Sequence, residues 1–406
     1  MDFFQQLERD DLPRVTHPSI QRDRRLATRL LSQYLRLFSK GLSPMKPIAL
    51  VNDMPAYDLT QPPMHSEAGA RVLKVGFEYV VLKRKARPIN LVLMLNSACN
   101  MKCRHCSAKH YMTNNAKPLA VEEVKDLVDQ FVDLGGSSLI YSGGEPTLHP
   151  KLLELVDYVP KDKSTIAMFT NGTRLPEMAD ELKSAGILGT LVSLDSHIPE
   201  KHDKYRGSPG AFKQAMAGIE ALKERNMLTG ISTYITRDDL EAGDFDAIVK
   251  LGTDVGAHQV FVFDAVPTGA MRKEHKLVLR PEDREELKRL TMAQNANPKG
   301  PAIMGQSWVN SAEGFGCFAG FYQLYITACG DVAPCDFTPI TFGNIREEKL
   351  EVIWDRVRAS EDWGVRHMEC RMQDPEFRAK TIDFIPEDAP LPVPYEKILE
   401  WRREKT

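Results

Sequence analysis

The chain has 406 residues, 42% of them apolar, which is enough for a sizeable core and suggests two or three domains. The net charge of −3 does not indicate a nucleic-acid partner, and no apolar run approaches the roughly 18 residues of a membrane span. The acidic start, residues 1–10, lacks the features of a secretory signal. Seven cysteines do not form the paired framework of a small secreted protein. We therefore expect a protein of the reducing cytoplasm.

Residues 1–88 are predicted to form an N-terminal extension. Within it, residues 20–41 predict an amphipathic helix, because apolar residues recur at helical spacing and the polar face is rich in arginine. Such a helix either packs on the body of the protein with a solvated basic face or contacts a membrane surface or a partner. The turn-rich segment 55–63 predicts a loop, and residues 72–82 predict one or two short strands.

From residue 90, apolar segments alternate with helical patterns. Strands are predicted at 91–95, 138–142, 165–169, 189–194, 230–235 and 258–263. Helices are predicted between them at 119–134, 150–157, 177–185, 210–226 and 241–254. This alternation indicates parallel βα units with right-handed crossovers. Six units are fewer than the eight of a closed TIM barrel, so we predict an α/β fold with a partial (β/α)6 TIM-like barrel over 89–300, its active site at the C-terminal strand ends.

The first predicted strand ends in a cysteine-rich loop with the spacing Cys99-x3-Cys103-x2-Cys106. Cysteine thiolates on short loops hold cubane iron–sulfur clusters, and three thiolates leave one iron of a [4Fe-4S] cluster open. Two other interpretations exist. A structural zinc ion needs four ligands, and only His105 and His110 lie near enough to complete the set. The three thiols can also be buried without any ligand.

With the aromatic residue His105 before its last cysteine, this loop resembles the cluster motif of the radical S-adenosylmethionine (SAM) superfamily. The resemblance implies a [4Fe-4S] cluster that takes an electron from reduced flavodoxin or ferredoxin and cleaves SAM to a 5′-deoxyadenosyl radical. That radical removes a hydrogen atom from a C–H bond of a substrate whose class stays open among peptides, small metabolites and lipids. The alternative function is a non-catalytic iron–sulfur protein for electron transfer or scaffolding.

Motifs at the next strand ends resemble the SAM-binding segments of that family. Gly143-Gly144-Glu145-Pro146 resembles the GGEP motif that holds the SAM amino group, although two glycines alone indicate only a turn. Asn171 lies in a TNG stretch that the family places near the ribose. Ser193, Asp195 and Arg206 belong to a run that resembles "SLD…HD…RG", in which the serine and the arginine contact SAM. Arginine pairs well with the carboxylate of such a ligand.

Asp264 ends the sixth predicted strand. A carboxylate at that position is expected to face the active site, where it can orient the substrate or accept a proton. The alternative is a capping residue of a helix or turn. Asp264 is therefore a candidate catalytic residue.

A second cysteine region, predicted as a domain over 301–385, follows a charged helix. Cys317, a hairpin with Gly330-x4-Cys335, a GNI segment and Cys370 resemble the SPASM and twitch auxiliary-cluster domains. The resemblance implies one auxiliary [4Fe-4S] cluster bound by these three cysteines, and a late partner cysteine is missing.

The missing ligand leaves three choices for the fourth iron: an open site, a non-cysteine ligand, or Cys329. Cys329 can instead be a hydrogen-atom donor, which makes it a second candidate catalytic residue, or an inert residue in a turn. Residues 386–406 are predicted to form a proline-rich tail with a short charged helix or frayed end.

Overall fold

The computed structural model describes residues 45–112 and 116–405, together with Ser32 and Leu35. Apart from these two residues, the predicted basic helix over 20–41 lies outside the described part of the chain. Among the helices of the described residues, none is both long enough and apolar enough to cross a lipid bilayer.

A hairpin and a helix precede the main sheet. Strands β1 (Ala49–Val51) and β2 (Met54–Ala56) pair antiparallel, and helix α1 covers Glu67–Val80. The prediction of strands over 72–82 is therefore wrong. The β-branched valines of this segment favour a strand locally. The helix instead buries one face, which includes Leu73 and Val75, and Ser66 caps it by accepting the N–H of Gly69.

Six parallel strands form the body of the main sheet, and the predicted alternation of strands and helices is confirmed. The strands are β3 (Asn90–Met94), β4 (Ser138–Ser142), β5 (Thr165–Thr170), β6 (Gly189–Ser193), β7 (Leu228–Ile235) and β8 (Gln259–Asp264). Each pairs with the next in chain order. The connecting helices are α2 (Val121–Asp133), α3 (Leu152–Tyr158), α4 (Leu175–Ser184), α5 (Pro199–Arg206), α6 (Ala211–Glu224), α7 (Arg237–Glu241) and α8 (Asp244–Asp254).

Strands from the later part of the chain extend this sheet at both edges. The elements are α9 (Pro281–Ala296), β9 (Ala302–Gly305), α10 (Gln306–Val309), β10 (Gln323–Ile326) and β11 (Val332–Ala333). Strand β9 pairs parallel with β8, whereas β10 pairs parallel with β3 and antiparallel with β11. The strand order is β11-β10-β3-β4-β5-β6-β7-β8-β9. The hairpin of the second cysteine region is thus a continuation of the barrel sheet.

The C-terminal residues pack on this body. The last elements are β12 (Ile340–Thr341), α11 (Leu350–Ala359), α12 (Pro375–Thr381), β13 (Val393–Pro394) and α13 (Tyr395–Lys405). Strand β13 pairs parallel with β12. The ring of Tyr395 stacks on Phe342 with 4.5 Å between centroids, and its hydroxyl donates to Asp362. The proline-rich tail is therefore an ordered part of the fold.

The segment after β2 fills the N-terminal end of the barrel. Leu59 is fully buried there, and its backbone N–H donates to Gln259 Oε1 at 3.0 Å. Gly189 and Gly230 make room for it, because a Cβ on either residue would lie 2.5 or 2.6 Å from an atom of Leu59. Since this end is filled, a ligand has to approach from the C-terminal ends of the strands.

Candidate active site

A cavity of about 570 Å³ lies among the C-terminal ends of the parallel strands. Six of the seven cysteines line it, in two groups of three. The first triad consists of Cys99, Cys103 and Cys106, in the loop after β3. The second triad consists of Cys317, Cys335 and Cys370. The fold thus brings two cysteine groups, far apart in sequence, to one enclosed space.

Backbone contacts hold the loop of the first triad on one side. The N–H groups of Gly144 and Glu145 donate to the carbonyl oxygens of Asn96 and Ala98 at 2.9 and 2.7 Å. A Cβ on Gly144 would lie 2.1 Å from the Ala98 oxygen, so this close approach needs glycine. The neighbouring Gly143 lines the cavity with a φ of +140°.

Helix α5 holds the same loop on the other side. The N–H of Lys102 donates to the carbonyl of Arg206 at 3.1 Å, and a Cβ on Gly207 would lie 2.4 Å from the Lys102 oxygen. The Arg104 guanidinium lies 3.4 Å above the centre of the Tyr205 ring. The cluster loop is therefore clamped between the β4 and β6 strand ends.

Burial keeps the thiols of the first triad protonated when no metal is present. It raises the pKa of Cys99 and Cys103, and it raises that of Cys106 to about 11, with the neighbouring thiols adding to the effect. A metal that binds thiolates displaces these protons. The triad therefore has the chemistry of a site that is completed by metal binding.

Arg206 and Asp195 form a buried ion pair beside this triad. The guanidinium makes two contacts with the carboxylate, Nη2 to Oδ1 and Nε to Oδ2, both 2.7 Å. Burial alone raises the pKa of Asp195, but the Arg206 charge brings it below its ordinary value. Arg206 Nη1 lies 3.8 Å from Cys103 Sγ. Asp195 thus fixes the guanidinium against the cysteine loop.

His105 is held next to this ion pair as a neutral ring. It stacks on Tyr234 with 4.9 Å between centroids, and its Nε2 lies 3.5 Å from Asp195 Oδ2. Burial lowers the pKa of His105 to about 4, against the opposing effect of Asp195. At neutral pH the contact with Asp195 is therefore a polar contact between a neutral ring and a carboxylate.

The side chain of Glu145 is committed to the protein itself. Its carboxylate accepts from the N–H and hydroxyl of Thr147, the hydroxyl of Thr170 and the N–H of Asn171 at 2.6–3.0 Å. Pro146 is buried in the turn that follows. Glu145 therefore joins the ends of β4 and β5.

Asn171 and Ser193, two of the predicted ligand residues, are neighbours in the site. Both line the cavity at the ends of β5 and β6. Asn171 Nδ2 donates to Asn100 Oδ1 at 2.7 Å, and Asn100 in turn donates to the Thr173 hydroxyl. This chain of bonds ties the TNG turn to the cysteine loop.

The second triad lies against polar side chains. The thiol of Cys335 donates to Asp336 Oδ1 at 3.2 Å, and Gln306 Nε2 lies 3.7 Å from Cys370 Sγ. Burial raises the pKa of Cys335, and it raises that of Cys370 to about 12, with Cys317 adding to the second shift. The loop after Cys335 is bonded to the barrel through the hydroxyls of Tyr111 and Thr268.

Asp264 does not line the cavity. Its side chain is fully buried behind Cys370 and accepts from the Ser307 hydroxyl at 2.5 Å and from Gln373 Nε2 at 3.0 Å. Burial raises the pKa of Asp264. The expectation that this carboxylate faces the active site is therefore not met, because strand β9 and helix α10 cover the end of β8.

Cys329 also lies outside the cavity lining. Its thiol donates to the carbonyl of Ala116 at 3.3 Å, and the residue is buried in the hairpin turn between β10 and β11. This placement separates Cys329 from Cys317, Cys335 and Cys370. It favours the interpretation as an inert turn residue.

The cavity has an aromatic wall that none of the sequence motifs predicts. Phe169, Phe261, Phe263 and Phe337 line it, with ring centroids 4.7–6.0 Å apart. The signal was present in β8, where two phenylalanines alternate with the buried valines 260 and 262. A two-residue period predicts that both rings face the same side of the sheet.

The cysteines are not arranged around a single ion. In the part of the chain that the structure describes, no three His, Cys, Asp or Glu side chains converge to hold one metal ion. A zinc ion needs such convergence, whereas in a cubane cluster each cysteine binds a different iron. The donor set therefore fits iron–sulfur clusters better than zinc.

Comparison with known proteins gives matches over both cysteine regions. The family model described as "Radical SAM superfamily" matches residues 94–252, and the model described as "Iron-sulfur cluster-binding domain" matches residues 317–379. An AdoMet-dependent heme synthase of Methanosarcina barkeri (strain Fusaro / DSM 804) is 31% identical over 283 residues, which are 64% of this chain and 80% of that protein. The Bacillus subtilis (strain 168) antilisterial bacteriocin subtilosin biosynthesis protein AlbA is 27% identical, over 68% of this chain and 61% of that protein.

Solved structures agree in fold. Streptococcus suis SuiB bound to the precursor peptide SuiA superposes with a TM-score of 0.54 at 18% identity, over 70% of each chain. The protein anSMEcpe with bound AdoMet and the Cp18Cys peptide gives 0.53 at 17% identity, over 78% of this chain and 97% of that one. At such low identity these likenesses concern the fold alone, and they match the open parallel arrangement of strands β3 to β8.

Proposed function

This chain is a member of the radical SAM superfamily with a SPASM iron–sulfur region, and we propose that its two cysteine triads hold two clusters on either side of a largely apolar substrate. The family is one of enzymes that use SAM, a [4Fe-4S] cluster and, with SPASM, an auxiliary cluster. The observation that supports the arrangement is the lining of one cavity by both triads.

The first triad, Cys99, Cys103 and Cys106, is assigned to the SAM cluster. When bound, that cluster supplies the electron that splits SAM into methionine and a 5′-deoxyadenosyl radical, which takes a hydrogen atom from the substrate. The protein's part is to position the reactants and exclude water. The clamp formed by Gly144 and Gly207 fixes the loop, so the three sulfurs keep their spacing through each turnover.

Five residues at the strand ends are assigned to SAM itself. The backbone at Gly143 and Gly144 receives the amino group, Asn171 and Ser193 lie beside the nucleoside, and Arg206 pairs with the carboxylate. Arg206 is suited to this because Asp195 holds it from behind while Nη1 faces Cys103. Asp195, like Glu145, is assigned as a positioning residue, since its bonds are made within the protein.

The auxiliary cluster is assigned to Cys317, Cys335 and Cys370, with no ligand from Cys329. Asp336 lines the cavity next to this triad, and its Oδ1 accepts from the Cys335 thiol at 3.2 Å. Strands β10 and β11 continue the sheet from β3, so both triads line one cavity, and this position suits an acceptor of an electron from the substrate radical.

The substrate is proposed to be a compact molecule with an apolar, ring-bearing body. Four phenylalanine rings offer it edge and face contacts, and Lys102 and Lys109, which also line the cavity, can pair with carboxylates. An iron porphyrin has these properties, and the AdoMet-dependent heme synthase is a relative that this chain covers over 80% of its length. A peptide side chain is the second candidate, because SuiB and anSMEcpe share the fold in peptide-bound structures.

The test is cluster content and SAM cleavage after anaerobic reconstitution. We expect about eight irons per chain, and about four in the Cys99→Ala/Cys103→Ala/Cys106→Ala variant, as two cysteine-held cubanes require. With dithionite the parent forms 5′-deoxyadenosine and the variant forms none. Retention of eight irons, or 5′-deoxyadenosine from the variant, contradicts the assignment.

The substrate class is tested with two probes, an iron porphyrin dicarboxylate and a hydrophobic peptide. We expect the porphyrin to shift its Soret absorbance on binding and to raise the rate of 5′-deoxyadenosine formation. The variant Phe261→Asp places a charge on the aromatic wall and should weaken that response, whereas Lys250→Ala, at the surface, should not. Stimulation by the peptide alone favours the second candidate.

Reduced flavodoxin or ferredoxin is proposed as the electron donor, because the SAM cluster needs single electrons of low potential. Either protein should replace dithionite in the cleavage assay.

The basic segment 20–41 is proposed to contact anionic membranes. Sedimentation of the full chain with anionic liposomes, and its loss on deletion of residues 1–45, tests this. A full chain that stays in the supernatant contradicts it.

A further inference from the structure

One ligand sulfur of the proposed auxiliary cluster receives a hydrogen bond from a side chain that no cysteine motif identifies. Gln306 Nε2 lies 3.7 Å from Cys370 Sγ, within reach of an N–H···S bond. Gln306 is the first residue of α10, directly after β9, and it is buried in the cavity lining. It therefore acts from the barrel on a cysteine that comes from the C-terminal region.

The orientation of this amide is fixed from the neighbouring strand. The backbone N–H of Asp264, the last residue of β8, donates to Gln306 Oε1 at 3.1 Å. A carbonyl oxygen accepts this bond and an amide nitrogen cannot, so the NH2 group of Gln306 must be the end that faces the sulfur. Because β8 and β9 are paired in the sheet, the donor is held by the backbone.

The side chain of Asp264 ties this arrangement to the Cys370 segment. Its Oδ2 accepts from the hydroxyl of Ser307, next to Gln306, and from Nε2 of Gln373, three residues after Cys370. All four residues are more than nine-tenths buried. These two bonds tie α10 to the turn after Cys370. They thereby maintain the distance between the Gln306 amide and the Cys370 sulfur.

We propose that Gln306 is a positioning residue that raises the reduction potential of the auxiliary cluster through its bond to Cys370, with Asp264 holding its amide in place. The inference rests on the proposed function, in which Cys370 binds that cluster. Reduction adds negative charge to a cluster and its sulfurs, so a donor to sulfur stabilises the reduced form more than the oxidised form. Burial makes the effect larger, because water does not screen it.

The experiment is a redox titration followed by EPR on the Cys99→Ala/Cys103→Ala/Cys106→Ala protein, which retains only the auxiliary cluster. Two further substitutions are compared in that background. Gln306→Met removes the donor with little change in size. Gln306→Leu also removes the donor and, like methionine, places no charge beside the sulfur. At the potential that half-reduces the parent cluster, we expect the ratio of reduced to oxidised cluster to be about tenfold lower in both variants. For a one-electron couple, this corresponds to a midpoint potential that is lower by about 59 mV.

The matched control is Gln323→Met. Gln323 lines the same cavity, but among the hydrogen bonds of the described residues its side chain makes none to a cysteine sulfur. Its midpoint should equal that of the parent. Iron content of about four per chain verifies that each cluster is intact, and if Gln306→Met binds less iron, Gln306→Leu decides.

The outcomes separate this inference from the proposed function. Lower midpoints for both Gln306 variants, with an unchanged control, support the inference. Parental midpoints for iron-replete Gln306 variants overturn it and leave the auxiliary cluster in place. If the Cys99→Ala/Cys103→Ala/Cys106→Ala protein binds no iron, both this inference and the proposed auxiliary cluster are overturned, because Cys370 then binds no cluster.

Discussion

Replacing Gly144 by alanine tests whether the cysteine loop depends on close backbone contact at the end of β4. The φ of Gly144 is one that alanine can adopt, so the substitution adds only a methyl group. That methyl carbon would lie 2.1 Å from the Ala98 oxygen and 2.6 Å from its carbonyl carbon. Both atoms are backbone, and a van der Waals contact requires a separation greater by about 1 Å.

The expected cost has two parts. Overpacking of this kind destabilises by about 1–3 kcal/mol. Movement of the loop also weakens the bonds from Gly144 and Glu145 to Asn96 and Ala98, each worth about 1 kcal/mol. We therefore expect Gly144→Ala to lower the thermal midpoint by several degrees and to lose the iron of the first triad.

The assays are thermal unfolding and iron content under anaerobic conditions. Gly210→Ala is the matched control, because Gly210 has a φ of +80° and open space around its Cβ position. It should cost about 1–2 kcal/mol from backbone strain alone and keep all its iron. A Gly144→Ala protein with full iron and a parental midpoint would refute the steric reasoning.

Three further predictions concern other parts of the molecule. Cys329→Ala should keep the parental iron content, because its thiol lies outside the cavity; a loss of iron would make it a ligand. Leu59→Ala should cost about 2–5 kcal/mol in denaturant unfolding by leaving a cavity in the filled end of the barrel, and an unchanged midpoint would contradict that role. Burial lowers the pKa of His202 to about 4, below the 6.5 of an unfolded chain. The folded state thus favours the neutral ring, whose Nδ1 accepts the Asp195 N–H. Stability is full above pH 6.5 and falls by up to about 3 kcal/mol as the pH drops toward 4. In acid titrations His202→Gln should flatten this dependence, and an equally steep curve would exclude His202 as its source.

The barrel was predictable because its signals are local. Buried parallel strands are apolar along their whole length, so segments such as 91–95 and 165–169 stand out against amphipathic helices. The segment 72–82 was misassigned because its β-branched residues favour a strand, while burial of one face against the body decides for a helix.

The candidate site was predictable where a function needs fixed spacing along the chain. The loop from Cys99 to Cys106 and the glycines at 143–144 are of this kind. The role of Cys329 was ambiguous. A cysteine in the hairpin before Cys335 has the same sequence signature whether its thiol faces the cavity or, as here, the carbonyl of Ala116. The direction of a side chain depends on the turn and on what packs against it.

The sequence by itself determined the cofactor chemistry and the order of the strands, since both are written in short motifs and local periodicity. Only the tertiary structure decided that β10 pairs with β3 and that both triads line one cavity. It also decided that the Asp264 side chain is buried outside the cavity lining, and that the Asp264 backbone N–H holds the Gln306 amide. Contacts of this kind join residues far apart in sequence, and they are selected by the packing of the whole chain, which no local pattern records.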